Sequence, residues 1–418
     1  MSKKIVIIGA GVVGLSTAYY CARRGFDVTV VERHGLHRDG ASYGNAGMIV
    51  PSHFVPLAAP GMVALGLKWM FDPASPFYIK PRLDAELLDW GMKFWRAANA
   101  EHVQRAAPLI RDLSLASRAC FEEFAALPDM DFGLVKKGLI MLSRTEHGWQ
   151  EEARTAERAR ALGIPAEVLD AKQTAALDPA ARMAIAGSVY FPKDCHFTPA
   201  QFMTALQTQL EKLNVKFLWQ SDVTDLIVEN HRVRSIQTST GETVLADEFV
   251  LCAGSWSPEL ARQLDLKIPI QAGKGYSLTL PEPRRLPQIC TILTEARVAV
   301  TPMGKTLRIG GTMEIAGLNE GINPVRVRGI VDSFCRYYPE FSPADFDGLQ
   351  PWRGLRPCSP DGLPYVGRTA KFTNFSLATG HAMMGMSLGP ITGKLMAQIL
   401  SGEKPTIDLT LLSPDRYQ

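Results

Sequence analysis

The sequence predicts an α/β fold that opens with a Rossmann-like dinucleotide-binding unit, and three observations predict it. The first sixty residues run strand, glycine turn, helix, strand and acid in that order. The far end repeats the logic, with a strand (Phe375 to Ala378), a glycine turn (Gly380, Gly385) and a helix ending near Gly402. The chain has 418 residues, which is comfortable for two domains.

The opening element is "KKIVIIG", an uninterrupted β-branched run that reads as a buried strand. Gly9, Gly11 and Gly14 follow as G-A-G-V-V-G. Gly9 permits a tight turn, Gly11 lets backbone approach a pyrophosphate, and Gly14 lets the helix pack closely on the strand. "LSTAYYCARRG" reads as that helix, ending at Gly25, and its N-terminus offers free amides to phosphates. "DVTVVE" is the second strand, closed by Glu32, whose carboxylate can accept from both ribose hydroxyls. An acid there disfavours a 2′-phosphate and leaves NAD or FAD. "GASYGNAGMIVPSHF", Gly40 to Phe54, then supplies a loop of small residues in place of a further helix. Such a loop suits close packing beside a broad isoalloxazine ring, which favours FAD.

Residues 84–128 read as largely helical, with Trp90, Phe94 and Trp95 at core spacing, and 151–178 as a charged, solvated helical stretch. "HFTPAQFMTALQTQL" reads as a helix with Thr198 as N-cap, Pro199 at its first position and Gln201 completing a capping box. Strands follow with a turn at "STGE", and a buried strand ends at Cys252-Ala253-Gly254. "LRIGGTMEIAG", Leu307 to Gly317, reads as a strand of a second sheet beside "KGYSLTL", with Thr312 and Glu314 in structural roles. The last helix, aimed at the pyrimidine edge of a flavin, would stabilise the negative charge of a reduced ring. His381 in its turn is either a flavin contact or a satisfied turn histidine.

Bulk properties narrow the class. Net charge is +3, with basic residues scattered, which argues against a nucleic-acid partner. Seven cysteines form no C-x-x-C pair and no metal spacing, as expected of a reduced, cytoplasmic protein. Glycines break the first apolar run, so no secretory signal is expected. The greasiest run, Phe54 to Phe71, carries Pro56, Pro60, Gly61, Gly66 and Lys68, which argue against a spanning helix. It fits a pocket cap, a core segment or a segment docked on a membrane surface. No internal repeat or low-complexity linker marks a domain boundary.

"GAGVVG", "ASYGNAG", "AGSWS", "KGYSLTL", "GLRPCSPDGLPYVG" and "GHAMMG" occur in order along nearly the whole chain. Together they resemble the FAD-dependent amino-acid oxidoreductases of the D-amino-acid oxidase/glycine oxidase superfamily, in the branch of the bacterial D-amino acid dehydrogenase small subunits. The greasy "APGMVALGLKWMFDPASPFYIKP" run is also typical of that branch. The resemblance implies a discontinuous FAD domain (1–75, 196–262 and 350–418) and a substrate domain on a large mixed β-sheet with helices (76–195 and 263–349). Arg356 would clamp the substrate carboxylate, Tyr276 would assist, and His53 would border the pocket. Cofactor contacts would come from Gly9, Gly11, Val13 and Gly14, then from Glu32 and Arg33. The small-residue loop would add Ser42, Asn45, Ala46, Gly47 and Met48. Val223, Ala253, Gly254 and Trp256 would follow, and the last turn would add Gly380, His381, Gly385, Met386 and Ser387. Cys358 is not at the offset used for covalent flavin attachment in some relatives, so non-covalent FAD is expected.

The implied reaction is oxidative deamination of D-amino acids. Hydride passes from Cα to flavin N5, the imino acid hydrolyses to a 2-oxo acid and ammonia, and a quinone or other acceptor takes the electrons. Most of the protein's task is positioning, Arg356 gripping a carboxylate bidentately, and no residue stands out as a general base. Arg353 is expected to be structural. D stereochemistry comes only from the resemblance. A secondary-amine dehydrogenase or oxidase (D-proline, hydroxyproline, sarcosine, glycine) shares every motif. More distant alternatives are an NAD-dependent dehydrogenase and a non-catalytic flavin-binding subunit. The branch and the greasy segment favour a membrane quinone and peripheral contact with the inner face of the cell membrane. Oligomeric state is left open.

Overall fold

A computed structural model describes residues 2–69 and 75–418. Its first sheet has six strands in the order Tyr365–Arg368, Phe375–Thr379, Glu248–Leu251, Lys4–Ile8, Asp27–Val31, Lys216–Leu218. All neighbours are parallel except the Tyr365–Arg368 edge. Both faces are covered, which is why Ile5 to Ile8 is an unbroken apolar run. On one face lies the helix Val12–Ala22, apolar all round because the helix Gly385–Leu400 packs on its other side. Gly393 has no side chain where the backbone of Ser16 approaches. The other face carries a three-stranded antiparallel sheet, Val223–Glu229, Arg232–Thr238 and Thr243–Leu245.

The second sheet has nine strands. It runs from Trp352–Cys358 through Gln271–Leu280, Thr306–Ile315, Val298–Met303 and Cys290–Leu293 to three further strands, with Phe77–Ile79 also pairing Thr306–Ile315. It is mixed: Cys290–Leu293 pairs in parallel with Leu139–Ser143, and its other neighbour is antiparallel. One face buries Leu278, Leu307 and Ile309 against Ile330, Val331 and Phe334 of the helix Pro324–Tyr337. The opposite face turns toward the carboxyl ends of the first sheet.

Several expectations change. The 84–128 stretch is two helices, Ala85–Ala97 and Ala100–Ala125, parted at Ala98-Asn99, where Asn99 caps the second. Trp90 and Phe94 stack, but Trp95 points to solvent at 65% exposure, one step round the helix from its neighbour. The 151–178 stretch breaks at Gly163, and a strand, Glu167–Asp170, separates helices Glu146–Ala161 and Ala171–Leu177. Thr198 begins the helix Pro199–Lys212 without a side-chain cap bond, so no capping box forms.

The domain limits also move. Helix Ala100–Ala125, inside 76–195, buries Ile110, Leu113, Phe121 and Phe124 in the first domain's core. Strand Trp352–Cys358, inside 350–418, belongs to the nine-stranded sheet, and the chain returns to the first sheet only at Tyr365. Of the greasy run, residues 70–74 lie outside the described residues. The helix Met62–Trp69 buries only Gly66, which packs on Phe77, so it is not a core segment.

Candidate active site

Parallel strands deliver their carboxyl ends to one crevice, the place where open α/β sheets bind ligands. Gly9 follows the first strand at φ +108°, a conformation a side chain would strain, and the carbonyl of Cys252 lies 2.6 Å from where its Cβ would be. Glu32 is buried at the end of the second strand. Its Oε2 accepts the Ala10 amide at 2.7 Å and its Oε1 the His34 amide at 3.0 Å. Each oxygen keeps a second lone pair, which suits two ribose hydroxyls. Arg38 donates to the Ala10 carbonyl at 3.1 and 3.3 Å, so both ends of that residue's backbone are held. Ser42 accepts the first helical amide, Val12 N–H, at 3.0 Å, and the following turn faces the crevice. The bare backbone of Gly11 beside Ser42, the unspent amides and the free lone pairs of Glu32 fit a dinucleotide.

The crevice is lined by Gly9, Gly11, Val13, Glu32, Arg33, Ser42 and Asn45. Val223, Ala253, Gly254, Trp256, His381, Gly385 and Met386 line its remaining sides. The Arg33 guanidinium lies 4.8 Å from the Trp256 ring centroid. Six other expected contacts do not line this crevice. Gly14 packs directly on the Gly9 carbonyl, Met48 pairs with His196, and Gly380 packs on Tyr365. Ala46 accepts Thr301 Oγ1 at 2.7 Å, the Gly47 amide donates to Asn45 Oδ1 at 2.8 Å, and Ser387 Oγ accepts the Val50 amide at 3.3 Å. Sequence reasoning missed Arg38 and Gln263, which also line the crevice. Neither sits in a motif, because each arrives through tertiary packing.

Arg356 enters from the second domain. Its strand pairs Gly273 with Arg356 and Gly275 with Gly354. The guanidinium occupies the space a side chain on Gly275 would fill. It reaches across that strand, and Nη1 donates to the Thr312 carbonyl at 2.7 Å. Thr312 has φ +68° at the point where the strand register shifts, a bulge that aims this carbonyl at the arginine. Among the described residues no carboxylate pairs with Arg356. Burial pulls its pKa below the ordinary value, yet a guanidinium stays charged. A half-buried cation therefore faces the crevice with most of its donors unspent.

The backbone carrying it is tethered repeatedly. Trp352 Nε1 donates to the Asp39 carbonyl at 2.7 Å, Ser255 Oγ to the Leu355 carbonyl at 3.1 Å, and Trp90 Nε1 to the Cys358 carbonyl at 2.8 Å. Arg353 pairs with Asp39 and, at 3.4 Å, with Glu320, so it is a structural charge.

Tyr276 is not brought to Arg356. Successive strand residues face opposite ways, and Gly275 faces the guanidinium. Tyr276 sits in the core beneath the helix Pro324–Tyr337, its hydroxyl donating to Glu314 Oε2 at 2.8 Å. Glu314 also meets Lys274 at 3.6 Å and Arg326 at 3.7 Å. His381 is buried and its Nε2 meets Thr392 Oγ1 at 2.9 Å; burial drives its pKa down to about 3, so it stays neutral. His53 does not line the crevice; its Nδ1 is 3.0 Å from Ser52 Oγ.

A dinucleotide crevice facing a fixed arginine on a second sheet defines a two-domain flavin-dependent oxidoreductase. The chain belongs to the family described as DAO, FAD dependent oxidoreductase, whose model matches residues 4–399. D-amino acid dehydrogenase from Rhizobium rhizogenes is 34% identical over 423 residues, covering 99% of this chain and 100% of that protein. The enzyme of the same name from Cereibacter sphaeroides is 35% identical over 421 residues, covering 99% and 95%. Among solved structures, glycine oxidase from Geobacillus kaustophilus superposes with a TM-score of 0.79 at 22% identity, covering 100% of both chains. L-Proline dehydrogenase from P. horikoshii gives 0.72 at 17% identity, covering 100% of this chain and 98% of that one. The protein is thus an enzyme, an FAD-dependent amino-acid dehydrogenase. The NAD and non-catalytic readings fall away.

Proposed function

We propose that the protein oxidises D-amino acids to imino acids, which water hydrolyses to 2-oxo acids and ammonia. The observation that carries this reading is Arg356, a half-buried cation with no carboxylate partner among the described residues, held over a glycine floor at the crevice. Such a group lowers its energy by taking a carboxylate, and two parallel N–H bonds fix that carboxylate in orientation as well as place. FAD, when bound, would supply the two-electron acceptor for the hydride of Cα. Glu32, the Val12–Ala22 helix N-terminus and Ser42 would hold its ribose and phosphates. Arg356 would set the distance and tilt of Cα relative to the ring. The D preference rests on the relatives named above. Non-covalent binding is supported by Cys358, a fully buried thiol whose pKa burial pushes up to about 12.

Electrons then leave for a quinone in this reading. No helix among the described residues is long and apolar enough to cross a membrane. The helix Ala85–Ala97 instead presents Leu88, Met92 and Trp95 to solvent at one face, with Leu67 and Leu83 also exposed. Exposed apolar groups at this spacing support peripheral contact with a lipid surface.

The test is anaerobic bleaching of the flavin by D- and L-amino acids and by secondary amines. Reduction by primary D-amino acids is expected, and lost when Arg356 is replaced by Ala at the same substrate concentration. Preferential reduction by proline, hydroxyproline or sarcosine would transfer the reading to secondary amines. Reduction that ignores the carboxylate would overturn it.

A further inference from the structure

Four consecutive carbonyls of the small-residue loop are taken by side chains of the nine-stranded sheet. Arg308 Nη1 donates to the carbonyls of Tyr43 at 3.1 Å and Asn45 at 2.9 Å. Ser277 Oγ donates to the Gly44 carbonyl at 3.0 Å, and Thr301 Oγ1 to that of Ala46 at 2.7 Å. These donors come from three neighbouring strands. Register sets Thr279, Arg308 and Thr301 side by side in one row, and Arg308 Nε donates to Thr279 Oγ1 at 3.0 Å. The guanidinium is thus held from the strand beside it as well as from the loop. Among the described residues no carboxylate pairs with Arg308, and burial alone pulls its pKa down to about 10, so it stays charged at neutral pH. Unlike Arg356 it does not line the crevice, and three of its five N–H groups are already given to oxygen.

What this does to the loop follows from the peptide plane. In a trans peptide the N–H points opposite to the carbonyl of the preceding residue, and no peptide bond among the described residues is cis. Turning the carbonyls of 43–46 onto the sheet therefore turns the amides of 44–47 away from it. Asn45 Oδ1 takes the Gly47 amide, but those of Gly44, Asn45 and Ala46 have no acceptor among the described residues. Tyr43 and Asn45 line the crevice while their carbonyls face the sheet, so the loop lies between the two. The loop is also seated beside the clamp. Ser277 shares its face of the strand with Gly275, over which the Arg356 guanidinium lies. A ring that meets an amino acid held by Arg356 comes up against this loop.

We propose that Arg308, Ser277 and Thr301 are positioning residues that aim the amides of Gly44, Asn45 and Ala46 at the bound flavin ring, where they stabilise the charge it gains on reduction. This rests on the FAD reading of the crevice and on Arg356 as its clamp. A hydride carries two electrons and one proton, so the ring that takes it gains one negative charge. Donors fixed before that charge appears need no reorganisation when it does. The cation behind them acts in the same direction, because the peptide dipoles between it and the crevice turn their positive ends toward the ring.

The midpoint potential of the bound flavin tests this, measured by anaerobic titration of the holoenzyme against a dye of known potential. Arg308→Met keeps the stem and removes the charge and the donors. It should cut the preference for reduced over oxidised FAD at least about tenfold, which lowers a two-electron potential by about 30 mV. Ser277→Ala combined with Thr301→Val leaves the charge in place and frees two carbonyls, and should cut that preference about threefold. A merely structural tie would weaken both forms of FAD alike and leave the potential unmoved. A double variant at or above the wild-type potential overturns the proposal, whether or not Arg308→Met folds. So does an unchanged potential in Arg308→Met that keeps its flavin. Neither result touches the carboxylate clamp, which anaerobic bleaching of Arg356→Ala tests separately.

Discussion

The two faces of the nine-stranded sheet, compared at adjacent residues, treat charge in opposite ways. On the Gly275 face Arg356 has, among the described residues, no acid partner and one backbone acceptor. On the Tyr276 face two cations, Lys274 and Arg326, share Glu314, and Lys274 also donates to the Gly321 carbonyl at 2.6 Å. Both arrangements bury arginine beside polar backbone. The difference is whether the cation has a carboxylate beside it. A cluster that carries its own acid is architecture, while an unpaired cation held rigidly is a site waiting for an anion.

The largest expected effect breaks that comparison on its functional side. Arg356→Ala should raise KM for amino acids by orders of magnitude, on the order of 2–5 kcal/mol of lost binding, measured by steady-state kinetics. Its Tm should hold or rise, because an unpaired desolvated charge has been removed. Glu314→Gln should do the reverse. It strands two buried cations, so denaturant unfolding should show a loss of about 3–5 kcal/mol while KM in the surviving holoenzyme changes little. Equal effects of the two variants on KM would show that the faces are not distinct.

Gly275→Ala sharpens the geometry. The added methyl displaces the guanidinium by about a bond length, and kcat/KM should fall about a hundredfold with flavin content unchanged. Glu32→Ala moves to the other domain and should weaken FAD by about 1–3 kcal/mol, read as flavin lost on dialysis. Full flavin occupancy would count against the ribose role. The smallest effect is expected from Arg353→Ala. Its ion pairs are partly solvated, so the loss should stay within about 1 kcal/mol, seen only as a small shift in Tm.

The legible parts of this molecule are those where structure is local. Gly9, Gly14 and Glu32 lie within one strand–helix–strand unit, so spacing alone placed them. Arg356 was legible because a run of prolines and glycines surrounds it, and that stiffness matches the tethers at Trp352, Leu355 and Cys358. Tyr276 lies away from Arg356 because neighbours in a strand share a motif but not a face. Which face it takes depends on register with the bulge at Thr312, thirty-odd residues away. Arg38 carries no signal at all, since its partner Ala10 meets it only in the folded crevice. Helix Ala100–Ala125 packs into the first sheet's core for a reason equally hidden: its apolar stripe shows that it packs, not upon what.

The Trp352 indole occupies the places where side chains on Gly44 and Gly354 would begin, one from the small-residue loop and one from the arginine strand. It works as a shim between the two domains: the ring's thickness, together with its bond to the Asp39 carbonyl, sets how far the clamp stands from the loop beside the crevice. An engineer widening the pocket for larger substrates could not alter Gly44 or Gly354 alone. Either change would have to be matched by a thinner residue at 352, and the three positions would have to be varied as one.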